Sequence, residues 1–326
     1  VRTRPLMIAA LLVAAAGLTA CQAPAGSIDG CMPTLPAGAA SNQVSVEQTE
    51  GAPTVDFEIP LVSEGDQATL IGGDADRVED GDVVDANYVV YSGKTGMIIT
   101  SSYPEPGSDA PAADALRLSA GGETALSQAV TCAAPGSTIV LTTTIESLFG
   151  PGAESPQMDI AAADTAVVVL DITGAYPGRA EGNARPGQQG MPAIALATDG
   201  RPGVTFPGGP APEELTIMQS IEGTGETIAA DDTVLLHYTG VIWEREEVLD
   251  SSWEKGAPVA WSMDDPGLIP GFVDAVVGQP VGSQIVVSIP QELGYSDPAT
   301  RPASVQDGDH LLFVIDILDR LEPVAD

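Results

Sequence analysis

The chain is short of positive charge, of histidine and cysteine, and of long apolar runs, and each shortage narrows what it does. Across 326 residues there are 12 Lys+Arg against 46 Asp+Glu, a net charge of −34. A surface of that sign repels phosphate backbones and anionic headgroups, which speaks against nucleic acid as a partner; beyond that it reads as a solvated, well-separated surface. With 3 Cys and 2 His, neither Cys-x-x-Cys nor Cys/His metal spacing occurs, so no metal and no cofactor is expected. Past the N-terminus no stretch is apolar and long enough to span a bilayer. What the chain does have is 44 % apolar residues, enough for real cores, and length for two domains with tails.

The N-terminus carries the clearest targeting pattern. Arg2 and Arg4 precede an apolar run from Leu6 to Ala20, closed by Leu18-Thr19-Ala20-Cys21. That run falls short of the about 20 residues a spanning helix needs. A cationic start, a short apolar stretch and small residues at its end make an export leader. Leu-Thr-Ala-Cys resembles the bacterial lipobox, which implies lipidation of Cys21. The expectation is a leader over 1–20 and a mature chain anchored to the cell membrane by its N-terminal lipid, on the extracytoplasmic face. Cys31 and Cys132 remain. Outside the cytoplasm a leftover pair oxidises, which predicts a disulfide tying the N-terminal tail to the first domain; the alternative is two free buried thiols.

Composition divides the rest. Residues 21–50, rich in Ala, Gly, Ser, Pro and Gln without apolar period, read as a flexible tether. Gly178 to Gly190 reads likewise, giving a linker over 178–196 between domains at 51–177 and 197–323. The two domains look alike. The run ending Asn87-Tyr88 matches that ending His237-Tyr238, and Thr100-Ser101-Ser102 matches Asp250-Ser251-Ser252. Ala129-Val130 with Gly136-Ser137 matches Ala275-Val276 with Gly282-Ser283, Phe149 meets Tyr295, and Asp171-Ile172 meets Asp316-Ile317. Ordered matches with small drifts in spacing are what a duplicated domain leaves.

The second copy reads mainly as strands: Leu215–Glu222, Thr233–Trp243, Pro258–Ser262, Gln284–Pro290 and Leu311–Arg320, rich in Val, Ile, Leu and aromatics. A single helix is predicted over Pro270–Gly278, with proline near its start, glycine at its end, and Phe272, Val273, Val276 and Val277 on one face. The fold class is therefore α+β: two tandem domains, each a curved antiparallel sheet crossed by one short helix.

Six strings then occur in order: His237-Tyr238-Thr239-Gly240, Asp250-Ser251-Ser252, Ile269-Pro270-Gly271-Phe272, Val281-Gly282-Ser283, Ile289 to Tyr295, and Leu312 to Leu318. No one of them is specific, but the series resembles the FKBP (tacrolimus- and rapamycin-binding) prolyl isomerase family over roughly Gly200 to Glu322. The resemblance implies peptidyl-prolyl cis-trans isomerase activity on proline-containing polypeptide clients, with binding of tacrolimus or rapamycin. It implies a pocket walled by Tyr238, Leu249, Val259, Ile269, Phe272 and Phe313, with Asp250 and Tyr295 as polar contacts. The Tyr295 hydroxyl and the Ile269 N–H would donate to substrate carbonyls, and Asp250 would orient neighbours rather than act as a base.

There are departures. Phe272 stands where the family usually has tryptophan, and Leu249 and Val259 where it commonly has phenylalanine. The loop Ser296–His310 lacks the family's isoleucine-proline-rich flap. A wider, less aromatic pocket is expected. In the first copy Tyr88 is kept, but Thr100, Leu126, Phe149 and Val168 replace the aspartate, the floor ring, the tyrosine and the phenylalanine, which implies a degenerate, inactive domain.

Three other features read as ordinary structure: the two histidines as core or strand-surface residues, Gly223-Thr224-Gly225 as a turn, and the acidic clusters near Asp76, Glu79 and Asp264 as solvated turns. The competing function is a non-catalytic client-binding module or chaperone.

Overall fold

In the computed structural model the described residues are 28, 30–49, 51–73, 75–104 and 113–321. The leader, Cys21 and the start of the 21–50 segment lie outside them.

Short strands β1 (Ser45–Glu47) and β2 (Thr54–Asp56) come first. A sheet follows from β3 (Gln67–Ile71), β4 (Val83–Ser92), β5 (Ile98–Ser101) and β6 (Leu116–Ser119). Helix α1 (Ala125–Ala129), β7 (Thr138–Thr144), helix α2 (Ile145–Phe149) and β8 (Thr165–Tyr176) complete it. Its order is β3-β7-β8-β4-β5, with β6 also beside β4.

The second half repeats the plan. β9 (Asn183–Ala184), β10 (Ala193–Leu196) and β11 (Pro202–Thr205) lead into β12 (Thr216–Glu222), β13 (Thr233–Ile242) and β14 (Glu247–Ser251). Helix α3 (Ser252–Lys255), β15 (Val259–Ser262), helix α4 (Pro270–Val276), β16 (Gln284–Ile289) and β17 (Leu311–Leu321) follow. The order is β14-β13-β17-β16-β12-β9, with β15 beside β13. Apart from β9, each strand has a counterpart in the first sheet at the same place. Bulges recur too, after Asp85 and Leu235 and after Val90 and Gly240. The architecture is α+β twice over.

Each sheet bends around an apolar core on its inner face. Val84, Ala86, Ile139, Leu141, Val168 and Leu170 build the first, closed by α1. Leu236, Tyr238, Ile285, Val287, Phe313 and Ile315 build the second, closed by α4. Two-residue alternation along the strands explains the selection: Val286, Leu312 and Val314, offset by one, face outward. On α4 the buried positions are Gly271, Phe272, Ala275 and Val276, while Val273, and Val277 just past the helix, are half-buried. The helical face is therefore rotated from the one expected, because α4 lies across the sheet and turns Ala275 into it. The sequence reading also missed β14 and α3, which follow one another without a Gly or Pro break.

The described parts of the segments read as tether and linker are folded. Leu35, Ala40 and Val44 are buried, and β1 pairs with β2. With Leu61, Ala40 and Val44 cover Val140 and Val167 on the outer face of the first sheet, while Leu35 joins the inner core. The sulfurs of Cys31 and Cys132 are bonded, with Cα atoms 5.6 Å apart. In the 178–196 stretch Ala180 and Met191 are buried, Asn183–Ala184 joins the second sheet, and the β10–β11 hairpin covers Met218, Val286 and Val314. Gly178 is so closely set that a Cβ there would overlap the Gly81 carbonyl. Composition misled because sparse apolar residues suffice when a sheet face waits to be covered; each fully buried aliphatic side chain contributes about 1.5–3 kcal/mol.

Both covers share a pattern. Thr49, Gly51, Pro53, Val55 and Phe57 recur at the same spacing as Thr198, Gly200, Pro202, Val204 and Phe206. Phe57 meets Tyr91 edge-on at 6.1 Å, and Phe206 meets Trp243 at 5.1 Å. The repeated unit is thus a cover hairpin plus a sheet. Val83 of one unit packs with Leu235 and Leu318 of the other. Among the described residues no helix is long and apolar enough to cross a membrane.

Candidate active site

β13 and β17 run side by side, and β13 carries a glycine where β17 carries a ring. Gly240 is the register partner of Phe313, and a Cβ on Gly240 would come 2.7 Å from the Phe313 ring. The missing side chain lets that ring lie flat over the inner face. Tyr238, two residues earlier on the same face, sits 6.3 Å from it, and Phe272 of α4 meets it edge-on at 5.4 Å. Trp261 of β15 closes the box, 4.9 Å from Tyr238 and 5.4 Å from Phe272.

These rings line a cavity of about 370 Å³ together with Leu249, Asp250, Leu268, Ile269, Tyr295, Pro302 and Ser304. Its size is that of a small-molecule or side-chain site. Of the residues expected from sequence, Tyr238, Leu249, Asp250, Ile269, Phe272, Tyr295 and Phe313 converge here. Val259 does not; it is partly buried against the core beside the cavity. Trp261, two residues along the same strand face, takes the wall. The expectation of a less aromatic pocket is overturned by that tryptophan, which alternation from Val259 would have found.

The polar groups are few and mostly occupied. Asp250 Oδ2 accepts from the Tyr238 hydroxyl at 2.5 Å and from Lys255 Nζ at 2.7 Å, and Oδ1 accepts from the Ser251 N–H at 2.9 Å. Lys255, from α3, was not foreseen. Burial works to raise the Asp250 carboxyl, but hydrogen bonds from Lys255 and Tyr238 outweigh it and hold it below the ordinary range. It is a saturated carboxylate and not a free base. Burial, and then the bond to Asp250, pushes the Tyr238 phenol up. Burial, helped by the Asp250 charge, raises Tyr295 as well, so both phenols stay protonated donors. Among the described residues the Tyr295 hydroxyl and the Ile269 N–H at the start of α4 have no acceptor. Two cavity-lining residues therefore carry unoccupied donors beside the rings.

The family model for FKBP-type peptidyl-prolyl cis-trans isomerase matches residues 224–318. An FK506-binding protein of Streptomyces anulatus is 35 % identical over 118 residues, 36 % of this chain and 95 % of that protein. A probable FK506-binding protein of Corynebacterium glutamicum is 35 % identical over 119 residues, 36 % of this chain and 97 % of its own. The chain belongs to the FKBP-type peptidyl-prolyl cis-trans isomerase family. A 22 kDa FKBP-type isomerase of Escherichia coli is also similar, 36 % identical over 100 residues, which are 31 % of this chain and 47 % of that one.

The first sheet sets the FKBP cavity positions differently. Val90 pairs with Val168 where Gly240 pairs with Phe313, and Thr100 stands at the register of Asp250. Leu118 holds the register of Trp261. Val90 and Val168 are buried, with Tyr88, Leu118 and Leu126 packed against them. Phe149 is 46 % exposed and turned away from that core.

The histidines are structural. His237 is buried, its Nδ1 2.8 Å from Ser252 Oγ and its ring stacked on Trp253 at 3.9 Å. His310 Nδ1 lies 2.8 Å from Glu244 Oε1. Among the described residues no group of His, Cys, Asp or Glu has a metal-holding arrangement.

Proposed function

We propose that the second-unit cavity binds the proline of a folding polypeptide and favours the rotated Xaa-Pro amide, at the extracytoplasmic face of a membrane to which Cys21 anchors the chain. Rotation about the amide is opposed by about 18–20 kcal/mol of lost resonance. No nucleophile is needed; what lowers that barrier is a site that prefers the twisted amide to either planar form. Tyr238, Trp261, Phe272 and Phe313 grip the ring. The Ile269 N–H and the Tyr295 hydroxyl hold flanking carbonyls, and Asp250 fixes Tyr238. The observation that carries this reading is the convergence of rings on a cavity whose carboxylate is already saturated while two donors are unoccupied. Leu18 to Cys21 and the Cys31–Cys132 bond support the compartment, since disulfides persist in oxidising surroundings.

In a proline-peptide exchange assay the full chain is expected to exceed the buffer rate and to be inhibited by tacrolimus or rapamycin. Tyr295→Phe, which removes one donor, is expected to lower kcat/KM about tenfold. A wild-type rate equal to buffer would sink the assignment. The first unit, whose equivalent positions are filled by aliphatic side chains, favours a second role beside it: holding clients without catalysis. Suppression of client aggregation that survives Tyr295→Phe would mark that role.

A further inference from the structure

Between Gly294 and Leu311 the chain has neither strand nor helix, yet this loop supplies Pro302 and Ser304 to the cavity wall. Ordering a residue costs about 1–2 kcal/mol of backbone entropy, so a wall built from such a loop needs anchors. Val305 is one, its side chain buried in the core. The others are two guanidinium groups aimed at main-chain carbonyls.

Arg301 is only 11 % exposed in its side chain. Its Nε donates to the Tyr295 carbonyl at 3.0 Å, and its Nη2 donates to Asp307 Oδ1 at 3.1 Å. Arg245, at the β13–β14 turn, grips Asp309 with Nη1 at 2.8 Å and Nη2 at 2.9 Å. The same Nη2 donates to the Ser304 carbonyl at 2.8 Å. One fork thus holds the backbone of the cavity tyrosine, and the other holds the backbone of the serine that lines the same cavity. In a chain with 12 Lys+Arg and 46 Asp+Glu, two cations spent on carbonyls of one wall mark that wall as a place where position matters.

We infer that Arg301 and Arg245 are positioning residues for isomerisation, standing in for flap side chains by clamping the 294–311 loop so that Tyr295, Pro302 and Ser304 close the cavity over a bound proline. The inference rests on this cavity being the catalytic site. It also sets a chemical requirement: a lysine has no planar fork and cannot satisfy a carbonyl and a carboxylate in fixed, different directions.

Steady-state kinetics on proline peptides with the full chain test it. Arg301→Gln is expected to raise KM about tenfold while kcat stays within about twofold, because the grip loosens and the donors remain. Arg301→Lys should be no better. Asp307→Asn, which removes the ion pair and leaves the carbonyl bond, should stay within about twofold of wild type. A wild-type KM in Arg301→Gln, or full recovery in Arg301→Lys, overturns the clamp. Should Arg301→Gln fail to fold, Arg245→Lys keeps an ion pair with Asp309 and loses the Ser304 contact. A KM raised about fivefold supports the clamp there, and an unchanged one overturns it. An inactive wild type removes the site reading and the clamp together; an active one with indifferent arginine variants removes the clamp alone.

Discussion

Apart from β9 and a bulge in β12, the two sheets of this chain share strand order and bulges, but one closes around a ring-lined cavity and the other packs aliphatic side chains into that place. The difference sits at a few register positions. Gly240 opposite Phe313 seats a ring flat on the sheet, whereas Val90 opposite Val168 fills the same space with methyl groups. Trp261 against Leu118, Phe272 against Leu126 and Asp250 against Thr100 follow suit. A backbone that builds a ring-lined cavity builds an ordinary core when a handful of side chains shrink, because the sheet is held by its ladder and its outer cover and not by the pocket.

That comparison can be broken outright. Giving the second unit the first unit's residues, Gly240→Val, Asp250→Thr, Trp261→Leu, Phe272→Leu and Phe313→Val together, is expected to lower kcat/KM by about a hundredfold or more. The far-ultraviolet circular dichroism spectrum should be retained. Residual activity near wild type would show that the cavity rings do not carry the reaction.

The covers offer the next contrast. The first is tied down by Cys31–Cys132, bridging a sequence separation of 101, while the second is held without a covalent tie, by packing and by hydrogen bonds such as that from the Ala180 N–H to Asp316. Replacing both cysteines by serine is expected to destabilise the first unit by about 2–5 kcal/mol, on the chain entropy released in the unfolded state. Denaturant unfolding should then show an earlier transition, with the isomerase rate unchanged. Loss of the rate as well would mean that the units do not unfold independently.

The smallest effect separates the units by pH. Asn87 occupies in the first unit the place of His237 in the second. Burial pushes His237 down to about 4, so its stabilising contribution is complete above the ordinary histidine value and is lost as pH falls towards 4. Its cross-strand partner Asp316 is pushed up to about 6 by burial, against hydrogen bonds from the Ala180 N–H and Gln284. That contribution runs the other way: it is complete below the ordinary carboxyl value and lost as pH rises through about 6. His237→Asn removes the acid loss and leaves the acid gain. Between pH 7.5 and 5 the variant should therefore gain about 2 kcal/mol relative to wild type, read from urea midpoints. Parallel curves for the two proteins would show that His237 does not govern the acid limb.

Much of this was legible in the residues. Alternation gave the long strands, proline and glycine bracketed α4, and the ordered strings from Tyr238 to Leu318 contain six of the cavity residues, with Leu249 implied by the family they resemble. What escaped had no local signal. Trp261 looked like one more strand aromatic, and Lys255 became a partner of Asp250 only once α3 turned back beneath the strand. Arg245 and Arg301 reach carbonyls, which no residue-type pattern encodes. The cover hairpins were hidden by Gly- and Pro-rich composition, although Thr-x-Gly-x-Pro-x-Val-x-Phe repeats in both and could have revealed them.

The order of apolar and polar residues alone determined most of the strand content and the twofold repetition, because those depend on short periods along the chain; the cavity-lining side chains followed from the strings that resemble the FKBP family. How the second sheet is hollowed, and which cations brace its wall, was decided only when strands came into register. A glycine has meaning there only through the ring that it faces across the ladder.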